Sequence, residues 1–487
     1  ATDVIDLELR APGRVGAYLS NLTTWVPAAS YSPPLEFARI PAIDLGLRFV
    51  DLNADGLVDI LFDRGQDGGN ATCTAGAQER GAYLNRGNRW ECVAGYFAPL
   101  PFPKEQTLYS GVTIVDINND GFVDLLYSYK DIRGRTFQST FLNNFPNGVE
   151  GWASESSAWR TPVIIVEERW SDNQFQVVDV DGDARLDLLK AYTDDDGKPQ
   201  VTYYNNDGTG FKPAGLPLPG TFGRLVDGVY KSTGSLLVDI NGDRLPDFVE
   251  RYLDTETNEE ISNVYISSGT HYTRSQAQVP VSLDGSGASA NSRHNFMDIN
   301  GDGLIDVYVY NTVSGAAGFH INTGNGWISE ARWDLPAQSL SSTYKDAATR
   351  FIDINGDGLL DLIYHFATAA DSFSKGAYFN TGAGWISAPT AFAPPMPIIA
   401  ANGTDPGVRP MDVDGNGLPD MLRSLKTASG LEQETWLNVT ARVDLMTAVE
   451  SSDRIVSRLT YRSLGEYRPL AGSNPESVYE HGIASAY

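Results

Sequence analysis

One nine-residue acidic pattern recurs seven times along the 487-residue chain, and it constrains the fold more than any other feature. The copies are FVDLNADGLVDILF from Phe49, IVDINNDGFVDLLY from Ile114, VVDVDGDARLDLLK from Val177 and LVDINGDRLPDFVE from Leu237. They continue with FMDINGDGLIDVYV from Phe296, FIDINGDGLLDLIY from Phe351 and PMDVDGNGLPDMLR from Pro410. Successive leading aspartates lie 65, 63, 60, 59, 55 and 59 residues apart. Repetition at such a period means one supersecondary unit per repeat, which buries its apolar surface only against its neighbours. The flanks alternate β-branched and aromatic residues, which is strand periodicity.

A second element recurs between the acidic loops: an aromatic residue or His, an apolar residue, then Asn or Ser. It begins at Tyr18, Tyr83, Phe141, Tyr203, Tyr265, His320, Tyr378 and Trp436. Downstream of most copies a Gly- and Asn-rich turn leads to Trp90, Trp152, Phe211, Trp327 or Trp385. Each repeat therefore reads as strand, acidic loop, strand, then a β-hairpin. Four short strands per repeat, seven times over, predict an all-β seven-bladed β-propeller with metal loops in its blades. The eighth aromatic element, Tyr18 to about Pro34, has no acidic loop before it. It is expected to close the ring against the last blade; an eight-bladed ring is the competing reading. The domain reading is an N-terminal lead at 1–15, the propeller at 16–440 and a C-terminal tail at 441–487.

The loops share D-x-[DN]-x-[DN]-G-x-x-D, with candidate ligands at positions 1, 3, 5 and 9. These are Asp51, Asn53, Asp55 and Asp59; Asp116, Asn118, Asp120 and Asp124; Asp179, Asp181, Asp183 and Asp187; and Asp239, Asn241, Asp243 and Asp247. The rest are Asp298, Asn300, Asp302 and Asp306; Asp353, Asn355, Asp357 and Asp361; and Asp412, Asp414, Asn416 and Asp420. A tight turn gathers these oxygens around one point, and six or seven hard oxygen donors suit Ca²⁺. Position 12 is not Glu (Phe62 in the first copy), which excludes an EF-hand. Single Asp-Gly clusters also serve as plain β-turns. Seven copies, each with three or four acids in nine residues, favour about seven Ca²⁺ sites. Position 6, where Gly takes positive φ freely, is Ala184 in the third loop and Arg244 in the fourth, so those two sites are expected to be weaker or reshaped.

Lys plus Arg is 36 against 62 Asp plus Glu, a formal charge of −26. The loops hold 22 of those 62 acids, and seven Ca²⁺ would bring the charge to −12. That balance argues against nucleic acid or an anionic membrane as partner. No stretch approaches the roughly 20 apolar residues of a membrane-spanning helix. The first residue is Ala1 rather than Met, which points to processing or trimming. Cys73 and Cys92, the only two cysteines, lack His neighbours for a zinc site; a disulfide closing the strand–turn–strand between them and a pair of unpaired thiols both stay open. A disulfide would fit a secreted, extracellular protein. Four sequons, at Asn21, Asn70, Asn402 and Asn438, are candidate glycan acceptors.

These loops resemble the FG-GAP/VCBS repeats of integrin-α-type propellers, over about residues 16 to 440. The tail, with LMTAVESS from Leu445 and RLTYRSL from Arg458, is similar to the segment following the propeller in SpvB/Tc-toxin B-subunit and Rhs-type proteins. That likeness implies a docking and assembly module without catalysis of its own, followed in such proteins by a shell-forming region.

The leading expectation is thus a non-enzymatic interaction module that binds a protein or glycan. The alternatives are a lectin and a polysaccharide lyase on a propeller scaffold. G-x-S-x-G, HExxH, P-loop and Rossmann motifs are all missing. His271, His294, His320, His365 and His481 are dispersed, with His320 expected to pack in the core. The acidic clusters Asp194–Asp196 and Glu259-Glu260 read as solvated turns, and Glu167-Glu168-Arg169-Trp170 as a weak candidate surface. Trp90, Trp152, Trp327 and Trp385 are placed in the core between blades rather than against sugars.

Overall fold

The computed structural model describes residues 24–39, 46–63, 80–100, 102, 111–130, 134–164, 166–167, 175–226, 229–254, 258–283, 292–311, 317–336, 349–369, 372–400, 403–440, 448–450 and 456–458. Tyr18, Asn21, Asn70, Cys73, Asn402, His481, the lead 1–15 and most of the tail lie outside them.

Seven sheets follow one another along the chain, one per acidic loop, each built on antiparallel strands, with a short parallel strand added in the second, third and seventh. The first blade runs Leu47–Val50, Asp59–Asp63, Arg80–Asn85 and Trp90–Val93. The second runs Val112–Val115, Asp124–Lys130, Thr136–Asn143 and Trp152–Glu155. The next four blades repeat this order, with acidic loops between the first and second strands. The seventh has only three strands in sequence: Val408–Met411, Asp420–Thr427 and Gly430–Asn438. Its fourth strand comes from the other end of the chain. Trp25–Pro27 pairs antiparallel with it in the register Trp25↔Asn438, Val26↔Leu437 and Pro27↔Trp436. The ring therefore has seven blades, closed where the partial repeat predicted. Closure hides an outer edge that would otherwise template aggregation.

The core lies between blades rather than within them. Each outer strand opens with an aromatic at one rung: Trp90, Trp152, Phe211, Tyr272, Trp327, Trp385 and Trp25 face Asn85, Asn143, Asn206, Ser267, Asn322, Asn380 and Asn438. The connector leaving each blade then meets the next blade's rung residue. Tyr96 meets Trp152 edge-on at 5.3 Å, Trp159 meets Phe211 at 5.7 Å and Trp333 meets Trp385 at 5.8 Å. Such edge-to-face pairs add about 0.5–1.5 kcal/mol each beyond area burial. Tyr96 and Trp333 are delivered by single 3-10 turns, Ala94–Tyr96 and Ala331–Trp333, and both are fully buried. Trp90, Trp152, Trp327 and Trp385 are thus half-buried, packed against the apolar clusters between blades. Tyr272 and Trp25 share their rung, which the sequence reading had not recognised.

One register expectation is corrected. In the third blade the recurring aromatic is Tyr204, not Tyr203, because Leu188 pairs with Tyr204 as Ile60 pairs with Tyr83. Tyr203 points the other way, and its hydroxyl donates to Asp187 Oδ2 at 3.0 Å. Two adjacent tyrosines made the one-residue slip invisible in sequence, since only hydrogen bonding fixes which one takes the rung.

Candidate metal-binding loops

The seven loops fold alike because the position 1 aspartate organises the turn around itself. In the fifth loop Asp298 Oδ1 accepts the Gly301 N–H at 2.8 Å, and Oδ2 accepts the Gly303 N–H at 2.8 Å. The position 5 side chain caps the position 7 N–H, as from Leu304 to Asp302 Oδ1 at 2.9 Å and, in the seventh loop, from Leu418 to Asn416 Oδ1 at 2.7 Å. Position 6 is left-handed in every copy, including Ala184 at φ 66° and Arg244 at φ 70°. These two non-glycine residues take the turn instead of reshaping it, at about 1–2 kcal/mol each. Position 4 is left-handed as well, which sequence reasoning missed. Ala54 and Asn119 hold it at φ 53° and 60° in the first two loops, and Gly holds it in the rest.

The position 9 aspartates do two jobs that spacing alone did not reveal. All seven are fully buried. One oxygen accepts the position 2 N–H, as in Ile354 to Asp361 at 3.1 Å. The other accepts the N–H of the rung Asn or Ser on the third strand, as in Asn380 to Asp361 at 2.8 Å. That Asn then reaches out of its own blade. Asn85 Nδ2 donates to Val413 O at 2.6 Å, Asn143 to Leu52 O at 2.7 Å and Asn206 to Ile117 O at 2.9 Å. Asn322 reaches Ile240 O at 2.7 Å, Asn380 reaches Ile299 O at 2.6 Å and Asn438 reaches Ile354 O at 2.8 Å. Each acceptor is the position 2 carbonyl of the preceding blade's acidic loop. Acidic loop and Asn element are thus two halves of one staple between blades. Only the fourth blade departs from it, with Ser267 at the rung. Asn438 belongs to this set and is fully buried, so the sequon there is corrected: the folded protein offers no glycan acceptor at that position.

Burial without a counter-ion disfavours the charged carboxylates. It pushes Asp59, Asp361 and Asp420 up to about 8, Asp124 to about 7, and Asp187, Asp247 and Asp306 to about 6, with backbone hydrogen bonds pulling the other way. Asp412 is likewise raised to about 6, through burial, despite the Gly417 N–H on its carboxylate. A bound cation would hold all of them ionised.

Among the described residues, two loops bring three carboxylates within 4.8 Å of one another: Asp179, Asp181 and Asp183 in the third, and Asp412, Asp414 and Asp420 in the seventh. In the first, second, fourth, fifth and sixth loops the position 3 residue is Asn, and its Nδ2 donates to the position 5 carboxylate at 2.9–3.0 Å. The donor set at positions 1, 3, 5 and 9 is all oxygen, and Oδ2 of the position 1 aspartate accepts one backbone N–H, as in Asp298 from Gly303 and Asp353 from Gly358, which leaves that oxygen a lone pair. Such a set fits a hard cation of Ca²⁺ type.

The remaining candidates fall outside these loops. Cys92 is disulfide-bonded, and Cys73 lies outside the described residues. Asp194 to Asp196 form a hairpin turn in which Asp194 accepts N–H groups from Asp196 and Lys198. Glu259 and Glu260 begin a strand instead of a turn, where Glu260 meets Arg251 at 3.1 Å. Glu167 ends a two-residue strand beside Lys130, and 168–170 are not described. His320 packs half-buried between Val307 and Ser329 on neighbouring strands. His365 is buried against the Pro394 carbonyl at 3.0 Å.

The FG-GAP-like repeat family matches residues 298–364, which span the fifth and sixth loops. No curated protein sequence matches the chain. Among solved structures it is similar to an Agrocybe aegerita lectin described as recognising non-reducing terminal N-acetylglucosamine. That match has 16% identity and a TM-score of 0.47, over 73% of this chain and 84% of the other. It is also similar to the Photorhabdus luminescens Tc holotoxin pore, at 16% identity and TM-score 0.39, over 80% of this chain and 17% of that one. The chain is an all-β seven-bladed propeller carrying an FG-GAP-like repeat, and no helix among its described residues is long and apolar enough to cross a membrane.

Proposed function

We propose that this propeller is a calcium-stabilised, non-enzymatic interaction module that docks a protein or glycan partner outside the cell. The observation that carries the reading is the division of labour within each repeat. The recurring polar groups are committed to scaffold: position 1 builds the turn, position 9 and the rung Asn staple blade to blade, and the shared aromatics fill the seams. What differs from blade to blade is the sequence of the connections between these elements, and connections on a rigid scaffold are where a ligand site is acquired. The residues that would hold Ca²⁺ are those at positions 1, 3, 5 and 9 of each loop. When bound, the ion supplies charge neutralisation and rigidity, with no chemical step routed through it. Docking within a larger secreted Tc-toxin- or Rhs-like assembly is the form of this role that the tail motifs favour.

Two measurements test the proposal. Metal analysis after dialysis against Ca²⁺ should find about seven ions per chain, and EDTA should lower the melting temperature, since a ligand that binds only the folded state stabilises it. A glycan array and an assay for unsaturated uronic products then separate the module from its competitors. Lyase activity would overturn the reading, and array binding would narrow the ligand to a glycan.

A further inference from the structure

The seventh acidic loop differs from the other six in what surrounds it, and the differences converge on the place where the ring closes. Its blade borrows its outer strand from the N-terminal segment, held by the Trp25–Pro27 ladder, by Ala28 N–H to Thr435 O at 2.9 Å and by Val439 N–H to Thr24 O at 2.9 Å. Beyond that strand the segment turns through Ala29–Tyr31 and lays Tyr31, Leu35 and Phe37 into one cluster with Ile60 and Phe62 of the first blade and Val413 and Leu422 of the seventh. Tyr31 is the hub. Its hydroxyl donates to the Gly87 carbonyl, while its own carbonyl accepts from Trp90 Nε1 at 3.1 Å and Thr435 Oγ1 at 3.1 Å. The same phenol lies within electrostatic reach of Asp414, Asp420 and Asp412.

Sequence accounts for the loop's singularity. Most loops carry Asn at position 3 and Asp at position 5; the seventh interchanges them as Asp414 and Asn416. In the five loops with Asn at position 3, that amide is spent inside the loop on the position 5 carboxylate. Asn416 instead donates out of its loop to the Asn438 carbonyl at 2.8 Å, and Asn438 is the residue that Trp25 faces across the closing ladder. The interchange also gathers Asp412, Asp414 and Asp420 within 4.8 Å. A divalent cation held by these three carboxylates would ionise them and draw them together directly beneath the seam. Val413, inside the loop, accepts the first blade's staple from Asn85. The loop thus touches both sides of the seam.

We propose that a divalent cation in the seventh loop is the latch of the ring: its occupancy controls whether the N-terminal strand stays docked and the propeller stays closed. The proposal rests on the calcium reading above and adds to it a local consequence that the other six sites lack. With the cation bound, Asn416 and Asp420 are held where Asn438 needs them, and the closing strand keeps its ladder. With the cation removed, residues 24–39 become the first element of the propeller to open, because nothing covalent ties them to the seventh blade.

Hydrogen exchange measured by mass spectrometry tests this on the full chain, using CaCl₂ or EGTA and a matched pair of variants. Asp414→Asn and Asp181→Asn make the same change at position 3 of the two loops that cluster three carboxylates. Only the first lies beside a borrowed strand. EGTA should raise exchange of the segment 24–39 at least tenfold before the outer strands Trp152–Glu155 and Phe211–Ala214 respond. Asp414→Asn should reproduce that rise in CaCl₂, and Asp181→Asn should not. Calcium-dependent protection spread evenly over all the outer strands, or equal effects of the two variants on 24–39, would overturn the latch and leave the calcium reading standing. No response to EGTA in any segment would remove both.

Discussion

The blade-to-blade staple makes a reciprocal prediction. Asn380 Nδ2 donates to Ile299 O at 2.6 Å and to Leu360 O at 3.1 Å, while its Oδ1 accepts the Gly382 N–H at 2.9 Å. Asn380→Ser keeps the backbone bond to Asp361 and leaves an acceptor near Gly382, as Ser267 Oγ does for Gly269 at 3.1 Å. It removes both donated bonds. Stranding the buried Ile299 carbonyl costs about 1–3 kcal/mol, and losing the second bond about 0.5–1.5, so the expected loss is about 1.5–4.5 kcal/mol. The fourth blade allows the reverse experiment. Ser267 holds the same rung, with its N–H on Asp247 Oδ1 at 2.7 Å and a left-handed Gly269 two residues on at φ 79°, close to Gly382 at 68° and Gly324 at 76°. The backbone there is already shaped for Asn, so Ser267→Asn should reach the position 2 carbonyl of Val180 and gain about 1 kcal/mol. Urea unfolding at saturating Ca²⁺, followed by tryptophan fluorescence, reads both changes. If Asn380→Ser lies within about 0.5 kcal/mol of the parent protein, below the net value of one ordinary hydrogen bond, the staple is not a source of stability and the reasoning fails.

Three further outcomes follow from named residues. Arg244→Gly removes a left-handed non-glycine residue at φ 70°, and should raise the melting temperature modestly and tighten the fourth site at limiting Ca²⁺; identical metal titrations for parent and variant would contradict that ranking. Deleting residues 1–34 takes away the strand Trp25–Pro27 and Tyr31, so the product should aggregate or unfold early, and a monodisperse truncation of equal stability in light scattering would argue against strand-borrowed closure. Burial lowers the His365 imidazole to about 4; the unfolded chain therefore takes up the proton first, and this residue's contribution is intact above about pH 6.5 and lost progressively as pH falls towards 4. His365→Gln should flatten that part of the stability–pH curve, and an unchanged slope between pH 6.5 and 4 in chemical denaturation would rule the residue out as its source.

The legibility of the site was uneven for a physical reason. Position 6 was readable because a turn that demands positive φ selects Gly, so Ala184 and Arg244 stood out as exceptions. Position 4 makes the same demand, yet Asn119 and the short side chain of Ala54 tolerate it without an obvious mark in the sequence. The position 9 aspartates looked like ordinary ligands from their spacing. Only the folded chain shows them bonded to a rung residue between 16 and 26 positions downstream.

The sequence by itself determined the blade count, the strand–loop–strand order, the oxygen-rich chemistry of the loops and the return of the N-terminal segment to the last blade. All of these are local patterns or repeats of local patterns, and periodicity and turn chemistry write them directly into neighbouring residues. Only the tertiary structure decided which of Tyr203 and Tyr204 holds the rung, that each Asn staples one blade to the next, and that Asn438 is buried instead of available to a glycan. It alone set the seventh loop against Tyr31. Those outcomes depend on residues brought together across sequence separations such as the 328 positions between Asn85 and Val413, and a contact of that span leaves no period for a sequence to display.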